Sequence, residues 1–93
     1  MRTIERSSAF KRDYKREAKG PHRNTLDPTL SAVLLALAAD QPLDARHRDH
    51  NLSGDWSGYR ECHVKPNLLL IYRKSGSDLL RLARFGSHSE LFS

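Results

Sequence analysis

Residues 56–85 read WSGYRECHVKPNLLLIYRKSGSDLLRLARF, and this stretch decides the fold. Its apolar and β-forming residues predict three strands, over Trp56–Val64, Leu68–Tyr72 and Leu79–Phe85. Turn-forming residues separate these strands at Lys65-Pro66-Asn67 and at Ser75-Gly76-Ser77. The unbroken apolar segment Leu68–Tyr72 is typical of a central strand that is buried on both faces. The stretch therefore predicts an antiparallel meander, which Gly86 ends.

The first half of the chain supplies the elements that cover this sheet. Residues 2–6 predict a short strand, and Ser7 or Ser8 can cap a basic helix from about Ala9 to Lys19, which Gly20-Pro21 ends. A second, apolar helix is predicted to run to Asp40, with Asp27 as N-cap and Pro28 as its first residue. The prediction is an α+β fold in one domain, residues 1–93, with a twisted antiparallel sheet and two N-terminal helices packed on one face.

Composition indicates a basic protein without disulfides or a membrane segment. The 93 residues carry a formal net charge of +5 with a pI near 9.8, which favours RNA or an acidic protein as partner. A single cysteine, Cys62, excludes an intrachain disulfide and fits a cytoplasmic setting. The N-terminus has no apolar signal-peptide core, and the longest apolar stretch, Ala32–Ala39, is too short to span a bilayer. We therefore expect a cytoplasmic protein without a membrane segment.

Three histidines, His50, His63 and His88, lie in the second half of the chain among arginines and aromatic residues. The ordinary pKa of histidine is about 6.5, so an imidazole can take or give a proton near neutral pH. Metal-free RNA cleavage needs a base for the ribose 2′-OH, an acid for the leaving 5′ oxygen and a cation beside the charged phosphorane. Arginine suits the last role, and an aromatic ring can hold a base by stacking. The combination favours RNA cleavage.

Strand alternation makes two further predictions about these side chains. Leu80, Leu82 and Arg84 are predicted to share a face of the last strand, so that an arginine ends an apolar face. His63 is predicted to point away from the core, because Cys62 and Val64 lie on the opposite side of its strand. Cys62 is then a buried apolar residue rather than a nucleophile.

Other interpretations of these residues are weaker. A metal site is the rival to acid–base chemistry, since His47, His50, His63 and His88 are possible ligands. The chain has no HExxH motif and no cysteine pair, so we expect neither a metal nor another cofactor. His22 and His47 lie in polar surroundings and are interpreted as ordinary surface residues. The basic face of the first helix fits either a solvated surface or a contact with RNA.

Two segments carry a resemblance to a known family. Residues 49–72, DHNLSGDWSGYRECHVKPNLLLIY, and residues 80–92, LRLARFGSHSELF, resemble the YafQ-type toxins of the RelE/ParE superfamily. The N-terminal half is similar in length and pattern but looser in identity. The resemblance implies a RelE-like microbial ribonuclease fold and the toxin of a type II toxin–antitoxin pair. It also implies a ribosome-dependent, metal-free mRNA endonuclease that cuts in the ribosomal A site by 2′-OH attack, neutralised by an acidic antitoxin.

Position by position, the resemblance assigns roles. His50, His63 and His88 match the family's catalytic histidines, Arg84 matches the arginine that stabilises the phosphate, and Phe92 matches the terminal aromatic residue that helps hold the substrate. We add Arg60 and Trp56 as candidate substrate-binding residues.

Asn67 stands where the family usually has an aspartate, and we include it as a catalytic candidate. An amide keeps the shape and one acceptor of a carboxyl group but cannot take or give a proton. The alternative function is therefore a catalytically weakened module that binds RNA or the ribosome. A gyrase-directed toxin of the same superfamily ranks last, because such toxins lack this set of histidines.

Overall fold

The segment Leu68–Ser75 forms the central strand of a five-stranded sheet in the computed structural model, which describes residues 1–92. The strands are β1 (Thr3–Arg6), β2 (His50–Asn51), β3 (Arg60–Lys65), β4 (Leu68–Ser75) and β5 (Leu79–Gly86), in the spatial order β1-β5-β4-β3-β2. The helices are α1 (Ser8–Glu17), α2 (Leu26–Ala38) and α3 (His88–Phe92). Two 3₁₀ turns, Ala45–His47 and Gly54–Trp56, lie between α2 and β3.

The predicted α+β fold is confirmed. The meander β3-β4-β5 is antiparallel, β2 continues it in the same sense, and β1 pairs with β5 in parallel. The edge pairing is parallel because the chain crosses back over the sheet through α1 and α2, the kind of long connection that parallel strands need. None of the helices described for residues 1–92 is long and apolar enough to cross a membrane.

The side chains of β4 alternate between two apolar clusters, one on each face of the sheet. Leu70 and Tyr72 pack with buried residues of α1 and α2, including Phe10 and Leu30. On the other face, Leu69 and Ile71 pack with Ala83 and Leu91, and several half-buried residues lie against them, namely Leu52, Trp56, Tyr59 and Phe92. The helices thus cover one face, whereas loops and α3 border the second, which remains partly open.

A β-bulge in β5 contradicts the predicted face of Arg84. Ile71 pairs with Arg84 and the next residue, Tyr72, pairs with Leu82, which leaves Ala83 as the extra residue. The bulge reverses the alternation, so that Phe85 rather than Arg84 joins Leu82 in the core against the helices. The prediction that Arg84 ends this apolar face was wrong because a bulge cannot be recognised from alternation alone.

The structure also revises several element boundaries. Ser7 caps α1 as predicted, since its hydroxyl accepts from the Phe10 N–H at 3.0 Å. Asp27, by contrast, is not the N-cap of α2, because the helix begins at Leu26 and the Asp27 carboxylate accepts a hydrogen bond from Tyr14 instead. The predicted strand Trp56–Val64 begins only at Arg60, because a 3₁₀ turn and Gly58, with φ of +93°, precede it. The helix α3 was not predicted.

Candidate active site

One row of paired residues crosses the open face of the sheet. His50 of β2 pairs with Glu61 of β3, Glu61 pairs with Ile71, and Ile71 pairs with Arg84 of β5. Neighbouring strands lie about 4.8 Å apart, so His50 and Arg84 are separated by about 14 Å across the row. The next row aligns His63 with Leu69 and Gly86. Long-range strand pairing thus brings the predicted histidines and the arginine onto one surface.

Glu61 joins two of the predicted catalytic histidines. Its carboxylate atom Oε1 lies 3.6 Å from Nε2 of His50 and 3.6 Å from Nε2 of His63. The glutamate side chain is 7% exposed, whereas the His50 side chain is 50% exposed and the His63 side chain 21%, so the carboxylate is buried and the two imidazoles stay accessible from the open face. Strand alternation puts Glu61 on the same side of β3 as His63, but no role for it was predicted from the sequence. Its proximity to His50 depends on the pairing of β2 with β3.

Backbone carbonyls orient both rings. Nδ1 of His50 lies 2.6 Å from the Arg48 carbonyl oxygen, and Nδ1 of His63 lies 3.1 Å from the Pro66 carbonyl oxygen. Because a carbonyl oxygen only accepts, each Nδ1 carries the proton. In the neutral ring, Nε2 is then the nitrogen that can take a further proton, and in both rings it is the nitrogen that faces Glu61. The arrangement suits proton transfer at Nε2.

Arg84 is held by a carboxylate from the other end of the chain. Its Nε donates to Oδ2 of Asp13 at 2.7 Å and its Nη2 donates to Oδ1 at 3.3 Å. Asp13 also accepts from the Phe85 N–H at 3.0 Å and from Nη1 of Arg16 at 3.1 Å. Burial acts to raise the pKa of the Asp13 carboxyl, but the bonds from Arg84 and Phe85 outweigh it and hold the pKa below 3.8. Asp13 therefore fixes the guanidinium through Nε and Nη2, and within residues 1–92 Nη1 of Arg84 forms no hydrogen bond.

The helix α3 positions His88 and Phe92 beside this surface. Ser87 and Glu90 form a capping box, in which the Ser87 N–H donates to Oε1 of Glu90 at 2.8 Å and the Glu90 N–H donates to the Ser87 hydroxyl at 3.2 Å. Hydrogen bonding from Ser87 lowers the pKa of Glu90, and Arg16 of α1 lies 3.0 Å from the same carboxylate. The His88 and Phe92 rings lie 5.1 Å apart, between centroids. The ion pair between Arg16 and Glu90 thereby ties α3 to α1.

The other predicted site residues lie around the edge of this surface. Asn67 is exposed in the β3–β4 turn and shares a groove with Ser87 and Glu90. The Arg60 guanidinium is hydrogen-bonded to other residues of the chain. Its Nε donates to Oδ1 of Asp49 at 3.2 Å, and its Nη1 donates to Oδ1 of Asn51 at 2.6 Å.

Trp56 lies against another aromatic ring at the edge of the site. The Trp56 ring packs edge-on against Tyr59, with centroids 5.3 Å apart. The Trp56 ring is half-buried, whereas Arg60 ties the loop before His50 to the sheet. Cys62 and Val64 are buried on the helix side as predicted, and burial raises the pKa of the Cys62 thiol to about 12.

His47, interpreted from sequence as a surface residue, contacts the candidate site. Its Nδ1 donates to the carbonyl oxygen of His63 at 2.6 Å, and the ring is half-buried. Within residues 1–92, no three histidine, cysteine or carboxylate side chains are arranged to hold a metal ion. His50 and His63 are thus grouped around Glu61, and His47 is held on the β3 backbone.

Comparison with known proteins decides the family. The sequence model of the YafQ toxin, described as the bacterial toxin of a type II toxin–antitoxin system, matches residues 2–93. The chain belongs to the YafQ family. It is 35% identical over 91 residues to the mRNA interferase toxin YafQ of Escherichia coli K12, an alignment that covers 96% of this chain and 98% of that protein.

Solved structures of YafQ-family and similar toxins share the whole fold. A copper-bound mutant toxin from Helicobacter pylori superposes with a TM-score of 0.88 at 39% identity, covering 99% of this chain and 100% of that one. YafQ in the E. coli DinJ–YafQ toxin–antitoxin complex superposes with a TM-score of 0.84 at 38% identity, covering 99% and 98%. The resemblance stated from the sequence is confirmed, and the chain is a type II toxin by family.

Proposed function

We propose that this YafQ-family chain is a ribosome-dependent mRNA endonuclease that cuts without a metal by 2′-OH attack. One observation carries the proposal, namely the convergence of Nε2 of His50 and of His63 on the Glu61 carboxylate, in the row of the sheet that also contains Arg84. Two imidazoles and an arginine supply the base, the acid and the cation that the reaction needs. The naming of similar proteins as mRNA interferase toxins supports the substrate class.

In the proposed reaction, Nε2 of one histidine removes the proton of the ribose 2′-OH. The 2′ oxygen attacks the adjacent phosphorus, the bond from phosphorus to the 5′ oxygen breaks, and a second histidine gives that oxygen a proton. The products are a 2′,3′-cyclic phosphate and a 5′-hydroxyl end. Glu61 favours the imidazolium of the histidine that has taken the proton. Arg84, anchored by Asp13, stabilises the charge on the phosphorane.

The substrate contacts follow from the edge of the site. Phe92 and Trp56 offer ring faces on which a base can stack, Phe92 beside His88 and Trp56 on the loop after His50. Because protons are moved by histidines and the negative charge is met by arginine, the proposed reaction needs no metal or other cofactor. We also propose an acidic antitoxin as the cognate partner, on the net charge of +5 and on the toxin–antitoxin complex of the similar E. coli protein.

The alternative of a weakened binding module rests on Asn67. Its amide cannot transfer protons, and it lies in the β3–β4 turn, next to the Pro66 carbonyl that holds His63 and in a groove shared with Ser87 and Ser89. Glu61, however, already supplies a carboxylate to His50 and His63. A carboxylate is therefore available to the catalytic chemistry without Asn67, and we favour the enzyme.

The test is cleavage of an mRNA in a reconstituted translation reaction, with 5′ ends mapped, in parallel with the same RNA without ribosomes. We expect cuts only on translated message, and the same rate when the protein has been treated with EDTA and separated from the chelator before it is added to the reaction. His63→Ala should lower the rate by about 10²–10⁴-fold, as the loss of a general acid or base does, with an unchanged circular dichroism spectrum. Absence of cuts at any protein concentration would refute the enzyme and favour the binding module.

A further inference from the structure

A cationic groove opens next to His63, on the side of β3 away from Arg84. It has a volume of about 350 Å³ and is lined by Arg46, His47, His63 and Lys65, with Thr29 and Pro66. Three cationic or protonatable side chains besides His63 line it, and the lining described contains no carboxylate. The groove therefore has the charge of an anion site and shares a wall with the proposed active site.

The two permanent cations of the groove differ from the other site arginines. Arg60 and Arg84 are paired with Asp49 and Asp13, whereas neither Arg46 nor Lys65 has a carboxylate within ion-pair distance among residues 1–92. The 3₁₀ turn fixes the Arg46 backbone, whose N–H donates to Oδ1 of Asp44 at 3.0 Å. The Lys65 ammonium donates to the Thr25 hydroxyl, a neutral partner, so the fold holds this side chain without neutralising its charge.

His47 connects the groove to the catalytic strand. Because its Nδ1 donates to the His63 carbonyl oxygen, Nε2 is the remaining polar atom of the ring, and it becomes a second donor when the ring is protonated. An anion in the groove favours that protonated form. The same contact ties the turn that carries Arg46 to the backbone of His63.

We propose that the groove of Arg46, His47 and Lys65 binds a phosphodiester group of RNA next to the cleaved one. Arginine and lysine are the side chains that recognise phosphate, and His63 lines the groove, so a strand whose scissile phosphate lies at His63 can place a neighbouring phosphate in it. A protein segment fits less well, since Val64 and Pro66 are the main apolar residues of the lining. The inference rests on the proposed function, because it adds a binding subsite to that reaction.

The test uses the double variant Arg46→Gln/Lys65→Gln. Its matched control is Arg6→Gln/Arg23→Gln, which removes the same charge from exposed positions outside both the groove and the basic face of α1. Binding of a short single-stranded RNA with 2′-O-methyl riboses is followed by fluorescence anisotropy over a series of KCl concentrations. For each phosphate that the variant no longer neutralises, the slope of log Kd against log salt concentration should fall by about 0.7. In ribosome-dependent cleavage, we expect KM to rise about tenfold or more with kcat nearly unchanged.

The outcomes separate this inference from the proposed function. If the wild type cleaves and the groove variant keeps the wild-type KM and salt slope, or if the control variant is weakened as much, the groove proposal is overturned. If the wild type does not cleave but its RNA binding depends on Arg46 and Lys65, the subsite stands and the enzyme proposal fails. Displacement of RNA by polyglutamate of equal charge would also overturn the proposal.

The phosphodiester can come from mRNA or from ribosomal RNA, and two arms distinguish these sources. A drop in affinity for empty ribosomes assigns it to ribosomal RNA. A drop seen with naked RNA and with programmed ribosomes, but not with empty ones, assigns it to mRNA. Both results support the site. Unchanged thermal unfolding of the two double variants shows that the fold is retained.

Discussion

Asp13 lies far from the histidines in sequence, yet the structure makes it the anchor of Arg84. We predict that its removal lowers both stability and activity. The carboxylate is buried and serves Arg84, Arg16 and the Phe85 N–H at the same time. In Asp13→Ala, the buried Phe85 N–H loses its acceptor, which costs about 1–3 kcal/mol.

The ion pair adds less, because the Arg84 side chain is 29% exposed and water screens the pair, so we assign it about 1 kcal/mol. The sum predicts that Asp13→Ala lowers the free energy of unfolding by about 2–4 kcal/mol. Asp13→Asn keeps an oxygen for the Phe85 N–H and should lose only about 1–2 kcal/mol. Urea denaturation followed by circular dichroism measures both values, and Asp55→Asn is the control because it removes the same charge from an exposed residue.

The pH dependence gives an independent test of the same interaction. The pKa of Asp13 is lower in the folded protein than its ordinary value of 3.8, so the ionised form is the one that stabilises the fold. The advantage of wild type over Asp13→Asn should be fully present above that ordinary value. It should disappear as the pH falls through the lower folded pKa.

The assay for function is cleavage of translated mRNA at saturating ribosome concentration. Asp13→Asn should lower kcat more than it raises KM, because Arg84 is proposed to act on the charged phosphorane. Ordinary surface substitutions change the free energy of unfolding by up to about 0.5 kcal/mol. If both Asp13 variants stay within that range of wild type, the reasoning about stability is refuted. An unchanged kcat would refute the reasoning about Arg84.

Four further changes test other contacts. Glu61→Gln should lower kcat about tenfold or more, because the imidazolium loses its carboxylate, and an unchanged kcat would remove Glu61 from the mechanism. Asn67→Asp should raise the rate of cleavage if the family's carboxyl group takes part, and an unchanged rate would retire that argument. Cys62 should react with a disulfide reagent only in denaturant, since burial raises the pKa of its thiol to about 12, and rapid labelling of the folded protein would contradict this. Gly86→Ala places Cβ 2.5 Å from Nη2 of Arg16 and should destabilise the fold by about 1 kcal/mol in urea denaturation. In an Arg16→Ala background that destabilisation should become smaller, because only the 3.1 Å contact with Oε1 of Glu90 remains tight.

Local features of the chain were enough to predict most of the elements. The meander could be predicted because alternation, the apolar segment Leu68–Tyr72 and two turns are properties of neighbouring residues. The same holds for the Ser7 cap and for the burial of Cys62 opposite His63. The short helix α3 was missed, although its capping box, Ser87 to Glu90, is a signal that sequence reasoning can detect.

Features that depend on pairing between distant segments could not be predicted. The bulge that turns Arg84 away from the core depends on how β5 registers against β4, and the partner of Arg84 is Asp13, 71 residues away. Glu61 becomes a neighbour of His50 only when β2 joins β3. The sequence thus determined which residue types were present to move protons and meet a phosphate. The tertiary structure alone decided which carboxylates hold these residues, Asp13 for Arg84 and Glu61 for His50. Such contacts depend on strand register and on the packing of distant segments, and not on spacing along the chain.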